Sequence, residues 1–381
     1  MIRSRELVLG YESSVEAECA RLLLFLSAAQ VLDEISARTR DVIIGAGEKL
    51  ACLFMTALLQ DRGIDAEYVN LENIIHPASL GNSLTQEFYA EVGLAVADRV
   101  RECGDRVPVI TGYFGTVPGS LLTSVGRGYT DLCAALLAVG IEAEELQIWK
   151  EVDGIFTADP RKVPQAQLIP YISPEETAEL TYWGAEVIHP FTMEQAIGAR
   201  IPIRVKNVMN PNGSGTVIYP DGSEPNSSPP GSKVLKPHLK RPTAVTTKQD
   251  ISIISIRSNR KSLNHGFLAG IFMTLDSRRL SVDLISTSEV HVSMAVHTDT
   301  PARHAAVAAV ASELETYGTV KIRRGMTIVA VVGKQMKRMV GVAGNMFETL
   351  AESGVAIEMI SQGRLSRYVR RAPQNSEADW N

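Results

Sequence analysis

Gly126-Arg-Gly-Tyr-Thr-Asp131, followed without interruption by Leu132-Cys-Ala-Ala-Leu-Leu-Ala-Val139, reads as a glycine-rich loop opening into an apolar helix. Thr130 is a good N-cap residue, which places Asp131 in the first helical turn, where negative charge is favoured. Gly128 permits backbone geometry that other residues resist. Arg127 and Asp131 then stand at the mouth of the helix, an arrangement suited to a small zwitterion or a phosphate. An ordinary capped helix accounts for the same six residues equally well.

The segments on either side decide between these readings. Val107-Pro-Val-Ile110 before the loop and Leu146-Gln-Ile-Trp149 after it have the composition of buried strands. Further out, Asp41-Val-Ile-Ile44, Tyr68-Val69 and Ile203–Val205 read as strands. Residues 13–38, 50–59 and 83–103, and the segments opened by Pro174 and Pro190, read as helices. Strands alternating with helices imply an α/β domain with a largely parallel sheet. In such sheets ligands sit beyond the carboxyl ends of the strands. Glu48, Tyr113, Arg127, Asp131 and the polar loop Glu151-Val-Asp-Gly-Ile-Phe-Thr-Ala-Asp-Pro160 all follow expected strands, so the site reading gains weight.

Pro220, Pro225, Pro229, Pro230, Pro237 and Pro242 among Gly, Ser and Asn mark a linker. Beyond it the chain repeats itself at an offset of 75 residues: Ile251–Ile256 aligns with Met326–Val331. Gly266, Phe272, Thr274, Leu275, Ile285 and Ser286 meet Gly341, Phe347, Thr349, Leu350, Ile360 and Ser361, and Asp283 meets Glu358. Each copy reads strand, glycine turn, helix, strand, the front of a βαββαβ unit. The first copy continues into Glu289–Val296. The second carries Arg364, Arg367, Arg370 and Arg371 at the matching place, so its next strand is expected to be missing. The expected domains are 1–219, a linker over 220–245, and repeat units over 246–320 and 321–381.

A net charge of −5 gives no general attraction to nucleic acid or anionic membrane, and Leu22–Leu26 is too short to span a bilayer. Four scattered cysteines without a C-x-x-C pair, and seven dispersed histidines, argue for reduced thiols in an intracellular, cytoplasmic setting and against a metal centre of zinc type. Neither a P-loop nor a dinucleotide fingerprint is present, Gly45-Ala-Gly47 being too short. His189, before a proline, reads as structural. The acidic and basic loop residues Glu48, Arg127, Asp131, Glu151, Asp153, Asp159 and Arg161 suit phosphoryl transfer, where catalysis is mainly positioning and charge neutralisation with Mg²⁺. Singly, Glu151 and Asp153 read equally as solvated loop residues.

At these residues the sequence resembles aspartate kinase in its fungal form. The motifs that carry the resemblance are Gly45-Ala-Gly-Glu-Lys-Leu50, Val125–Asp131, Trp149–Arg161, Tyr182-Trp-Gly-Ala-Glu-Val-Ile-His-Pro190, Asn264–Ala269 and Val282–Val290. The resemblance implies an amino-acid-kinase (carbamate-kinase-like) fold, a mostly parallel sheet sandwich, followed by tandem ferredoxin-like ACT repeats. It implies the reaction of ATP with L-aspartate to give 4-phospho-L-aspartate and ADP, toward threonine, methionine or lysine, or toward a specialised product of aspartate semialdehyde or homoserine. Arg127 would pair with the substrate α-carboxylate and Glu48 with its ammonium. Asp131 would organise the reacting groups, and Thr130 and Tyr113 would line the site. Lys150, Glu151, Phe156, Asp159 and Arg161 match the family's ATP-binding stretch. Asn264, Phe267, Leu268, Val282 and Asp283 match its site for a feedback amino acid, threonine here, with homo-oligomers formed through the ACT repeats. The apolar members of that group would serve core packing in either case. The family also opens with a strand bearing Lys-Phe-Gly-Gly-Thr-Ser. That motif does not occur in this chain, whose first lysine is Lys49. A second reading is therefore an amino-acid-binding regulatory paralogue with impaired catalysis.

Overall fold

The computed structural model describes residues 2–75, 84–115, 117, 120–185, 188–220, 242–258, 266–288, 290–334, 336, 339–362 and 366–371; the side chains of residues 123, 127, 362 and 366–371 are not among the described features. In chain order the elements are α1 (Arg5–Leu32), α2 (Ala37–Asp61), β1 (Ala66–Val69), α3 (Gln86–Arg101), β2 (Val107–Ile110), α4 (Leu121–Ser124), α5 (Tyr129–Gly140), β3 (Leu146–Lys150), β4 (Tyr171–Ile172), α6 (Pro174–Tyr182) and α7 (Pro190–Gly198). Then follow β5 (Ile203–Asn207), β6 (Thr216–Ile218), β7 (Ala244–Ser258), α8 (Phe267–Ser277), β8 (Val282–Thr287), β9 (His291–His297), α9 (Pro301–Leu314), β10 (Gly318–Val332), α10 (Val342–Glu352), β11 (Ile357–Gln362) and β12 (Ser366–Arg371). They form two compact units, Met1–Asp153 with Ile188–Glu224, and Gly154–Val187 with Pro225–Asn381. The expected linker falls almost wholly outside the described residues.

In the first unit β1 pairs parallel to β2, with Ala66 opposite Val107, and β3 pairs parallel to β5, with Leu146 opposite Ile203. Strand β6 joins β5 antiparallel. The core gathers Val69, Leu71, Phe88, Val92, Val96, Leu132 and Leu136. Helices α3 and α5 approach closely because Gly93 and Gly140 carry no side chain. A Cβ on Gly140 would stand 2.5 Å from the carbonyl oxygen of Gly93.

Two local expectations are corrected here. Asp41–Ile44 is not a strand but part of the 25-residue helix α2, which the Ser36 hydroxyl caps by accepting from the Thr39 N–H. Short apolar runs are ambiguous in period, and here the cap and the contacts of Asp41 outweigh the β-branched Val-Ile-Ile. Thr130 is not the N-cap of α5: a 3-10 turn over Gly126–Gly128 leads into it, Gly128 takes the N-cap position, and Thr130 lies inside the first turn. The left-handed backbone falls on Gly126 (φ 82°) rather than on Gly128. Helix α2 is also long and apolar enough to cross a bilayer by length and composition. Its Asp41 and Lys49 are buried and its half-buried Glu48 is hydrogen-bonded, as shown below, which marks it as a core helix.

In the second unit six strands form one antiparallel sheet in the order β11-β12-β10-β7-β9-β8. The 75-residue repeat appears as matched geometry: Gly266 (φ 95°) precedes α8 and Gly341 (φ 90°) precedes α10, both left-handed at the helix entry. This is the backbone that glycine adopts without steric cost. The strand expected to be missing from the second copy is present. β12 pairs antiparallel with both β10 and β11, Thr327 facing Arg370 and Ser361 facing Arg367. Its polar composition hid it, because strand propensity is largely set by neighbours and two flanking ladders satisfy this backbone. One face of the sheet packs Ile254, Val292 and Met294 against Ile271 of α8 and Val307 of α9; the other packs Ile251, Leu284, Met326 and Met359 with Trp183.

Candidate active site

Three elements of the first unit converge on Glu48. Helix α2 supplies the half-buried carboxylate, the loop after β2 supplies Gly112 and Tyr113, and the first turn of α5 supplies Tyr129 and Thr130. Burial pushes the Glu48 carboxyl above the ordinary carboxylate range, against donation from the Tyr129 hydroxyl and the Tyr113 backbone N–H. Among the described residues Oε2 of Glu48 is buried and has no hydrogen-bond partner. A buried carboxylate oxygen left in that state costs free energy that a cationic ligand would recover. Gly112 makes the approach possible: a Cβ there would lie 2.0 Å from Thr130 Cγ2 and 2.9 Å from Glu48 Oε2.

Tyr113 itself is buried. Its ring packs on Gly45, stands edge-on to Tyr129 at 6.5 Å between centroids, and lies 6.0 Å from the Lys49 ammonium. At Glu48 it therefore acts through its backbone N–H. Burial, with Glu48 nearby, also holds the Tyr129 hydroxyl protonated well above its usual range. Cys133, fully buried behind the site, has its thiol pushed up to about 12 by burial and then by Glu48.

Asp131 lies in the first turn of α5 with Lys150, at the end of β3, 3.7 Å from its carboxylate. Both are partly exposed, so the pair is a hydrated one and open to exchange of partners. Arg127 lies on the 3-10 turn between them and Gly126; its side chain lies outside the described features. Gly128 sits against His189, whose ring a Cβ would meet at 2.5 Å. His189 in turn caps α7, its Nδ1 accepting from the Phe191 N–H at 3.4 Å. The structural role expected of His189 is thus joined to the glycine loop. Glu151 is exposed at the edge of this unit.

The rest of the expected ATP stretch belongs to the second unit. Phe156 is half-buried and bridges to Leu168. Asp159 is hydrogen-bonded by the Arg161 guanidinium at 3.1 Å and by its backbone N–H at 3.0 Å, which lowers the Asp159 carboxyl. Of the expected effector group, Asn264 lies outside the described residues. Phe267, at the start of α8, and Val282 pack against the core cluster, Leu268 is exposed, and Asp283, its side chain 6% exposed, is paired with Lys248. Among the described residues no three His, Cys, Asp or Glu side chains converge as metal ligands.

Sequence reasoning missed three residues. Asp41, buried, accepts from the Ser120 hydroxyl at 2.7 Å and the Leu121 N–H at 2.8 Å, and so ties the start of α4 to α2. Lys49 is only 1% exposed and pairs with Glu72 and, at 3.6 Å, with Glu18; Arg21 bonds the same two carboxylates. Lys248, its side chain 17% exposed, donates to Asp283. The adjacency of Lys49 to Glu48 was visible, but no sequence pattern announces partners that lie in distant segments.

A model of the amino acid kinase family matches residues 6–207, and a model of the ACT domain matches residues 329–369. The aspartokinase of Schizosaccharomyces pombe is 54% identical over 358 residues, 91% of this chain and 68% of that protein. The aspartokinase of Saccharomyces cerevisiae is 53% identical over 89% of this chain and 67% of its own length. The chain belongs to the aspartokinase family. Among solved structures, E. coli aspartokinase III in complex with aspartate and ADP matches with a TM-score of 0.71 at 25% identity, over 94% of this chain and 78% of that one. The ACT match falls on the second repeat copy, and Glu48 and Asp131 both lie in the part matched by the amino acid kinase family.

Proposed function

We propose that the chain transfers the terminal phosphoryl group of ATP to the side-chain carboxylate of L-aspartate, giving 4-phospho-L-aspartate and ADP. One observation carries the site assignment: the buried, unpartnered Oε2 of Glu48 beside the mouth of α5. An α-ammonium donates to it, and Arg127 takes the α-carboxylate, for which a planar guanidinium is suited. Thr130 and Tyr113 shape this end of the site, Tyr113 through its backbone. The nucleophile is the substrate's own carboxylate, ionised at neutral pH, so the protein needs no strong general base. Asp131 orders the reacting groups, and Lys150 offsets phosphate charge. Glu151, Phe156, Asp159 and Arg161 complete the nucleotide contacts. Mg²⁺ would supply charge neutralisation at the transferring phosphate.

The kinase names of the curated relatives favour this reading over a purely regulatory one. Asn264, Phe267, Leu268, Val282 and Asp283 would hold the feedback amino acid, threonine in this reading. The ACT pair would carry a homo-oligomer contact in a cytoplasmic enzyme, with domains divided near residues 219, 245 and 320. The test is aspartate-dependent ADP release from MgATP by the purified chain. A folded chain that releases none, at any aspartate concentration, refutes autonomous catalysis.

A further inference from the structure

Lys248 is a lysine that the reaction does not use, held where two expected sites meet within the second unit. Its ammonium donates to Asp283 Oδ1 at 2.8 Å and lies 5.2 Å from the centre of the Tyr182 ring and 6.0 Å from that of Trp183. Asp283 is 6% exposed, and among the described residues its second oxygen, Oδ2, is buried without a partner. One oxygen is therefore taken by Lys248 and the other is free for a second donor.

The strand that carries Lys248, β7, also contacts the expected nucleotide loop. Just before Lys248, the Val245 N–H donates to the Thr157 carbonyl at 2.8 Å, the Thr246 hydroxyl to the Trp183 carbonyl at 3.3 Å, and the Lys162 ammonium to the Thr247 hydroxyl at 3.3 Å. Thr157 and Lys162 bracket Asp159 and Arg161. The head of β7 thus touches Asp283 at Lys248 and the 157–162 loop immediately before it.

The second repeat copy offers an internal control. Seventy-five residues on, Arg323 pairs with Glu358 at the positions equivalent to Lys248 and Asp283. That pair is the more exposed of the two, with Arg323 60% and Glu358 25% exposed. The ion pair belongs to the repeat, while its burial belongs to the first copy, where a change of partner is not screened by water.

We propose that Lys248 is the residue through which an amino acid bound at Asp283 is felt at the 157–162 loop. This rests on the effector and nucleotide readings given above. An α-ammonium arriving at Oδ2 places a second cation on one buried carboxylate. The two cations share one negative charge, so the Lys248–Asp283 bond weakens, Lys248 moves further onto the faces of Tyr182 and Trp183, and the head of β7 shifts against Thr157 and Lys162. Without differential contact in the two states no ligand moves an equilibrium; here the difference is the Lys248–Asp283 bond.

The test uses the full chain, threonine as the probe, calorimetry for binding, and hydrogen exchange at residues 155–163. In the wild type, threonine is expected to change exchange in that segment. Lys248→Met, which keeps the stem over the two aromatic rings, should still bind threonine but show at least a fivefold smaller change, in the range of ordinary coupling factors. Lys248→Arg should restore the response. Asp283→Asn, which breaks the same bond from the other side, should give the threonine-loaded exchange pattern without threonine. The inference is overturned if Lys248→Met binds threonine and transmits the full wild-type change, or if Asp283→Asn exchanges like the unliganded wild type. If the wild type binds no threonine, the effector reading fails and the coupling falls with it. If it binds and responds but Lys248→Met does so equally, the coupling alone fails.

Discussion

Replacing Lys49 with methionine isolates the energetics on which the first unit depends. Lys49 is 1% exposed and shares Glu18 and Glu72 with Arg21, so two cations face two carboxylates. Methionine fills most of the same volume but leaves one positive charge against two negative ones. Breaking a buried pair from one side costs about 3–5 kcal/mol. For a unit of this size that lowers the melting temperature by about 6–20 °C. The pH dependence gives a second, sharper readout. Burial alone raises Glu72, but the hydrogen bonds from Arg21 and Lys49 outweigh it and hold the carboxyl below its ordinary range. A depressed carboxylate contributes stability above its unfolded pKa and loses it as pH falls through the folded value. In Lys49→Met the burial effect is opposed by Arg21 alone, so the penalty of the variant should be larger at pH 8 than at pH 5. Adding Glu72→Gln should recover most of the loss, because removing both partners is far cheaper than removing one. The assay is thermal unfolding of the three chains at both pH values. A single variant that melts within about 2 °C of the wild type at pH 8, a difference worth no more than about 1 kcal/mol, refutes the buried-cluster argument.

Other outcomes follow from the site. Glu48→Gln should stabilise the unliganded chain at neutral pH, since a carboxyl raised by burial costs stability above its unfolded pKa. The same change should raise the aspartate KM by roughly 10–100-fold, the worth of one charged hydrogen bond; paired melting and steady-state measurements check both signs. Gly112→Ala drives a Cβ to within 2.0 Å of Thr130 Cγ2 and should cost about 1–3 kcal/mol. Thr130→Ser, lacking that methyl group, should relieve much of it in the double variant, read by thermal unfolding. Titration of the native chain with a thiol reagent at pH 8 should label exposed Cys19 first and leave Cys133 unlabelled until unfolding, because burial keeps that thiol protonated.

How much of this was legible beforehand varied with the range of the interaction. The repeat, its two glycine turns and the loop opening into α5 could be read along the chain because each depends on neighbouring residues: a backbone that glycine tolerates, an apolar period, a charge beside a helix end. The boundaries were weaker. Asp41–Ile44 carries a strand-like composition inside a helix, and β12 carries a tail-like composition inside a sheet, because in both cases contacts with remote segments outweigh local preference.

The sequence by itself determined the alternation of elements, the doubled C-terminal unit and the motif set that leads to aspartokinase. Only the tertiary structure decided which charges are buried and with whom. Lys49 meets Glu18 and Glu72, Asp41 meets Ser120, and Lys248 meets Asp283, all across stretches that no periodicity links. The reason is electrostatic. The free energy of an ionised group in the interior is set by the partners that the fold brings within hydrogen-bond distance, and that distance is fixed by packing rather than by position along the chain.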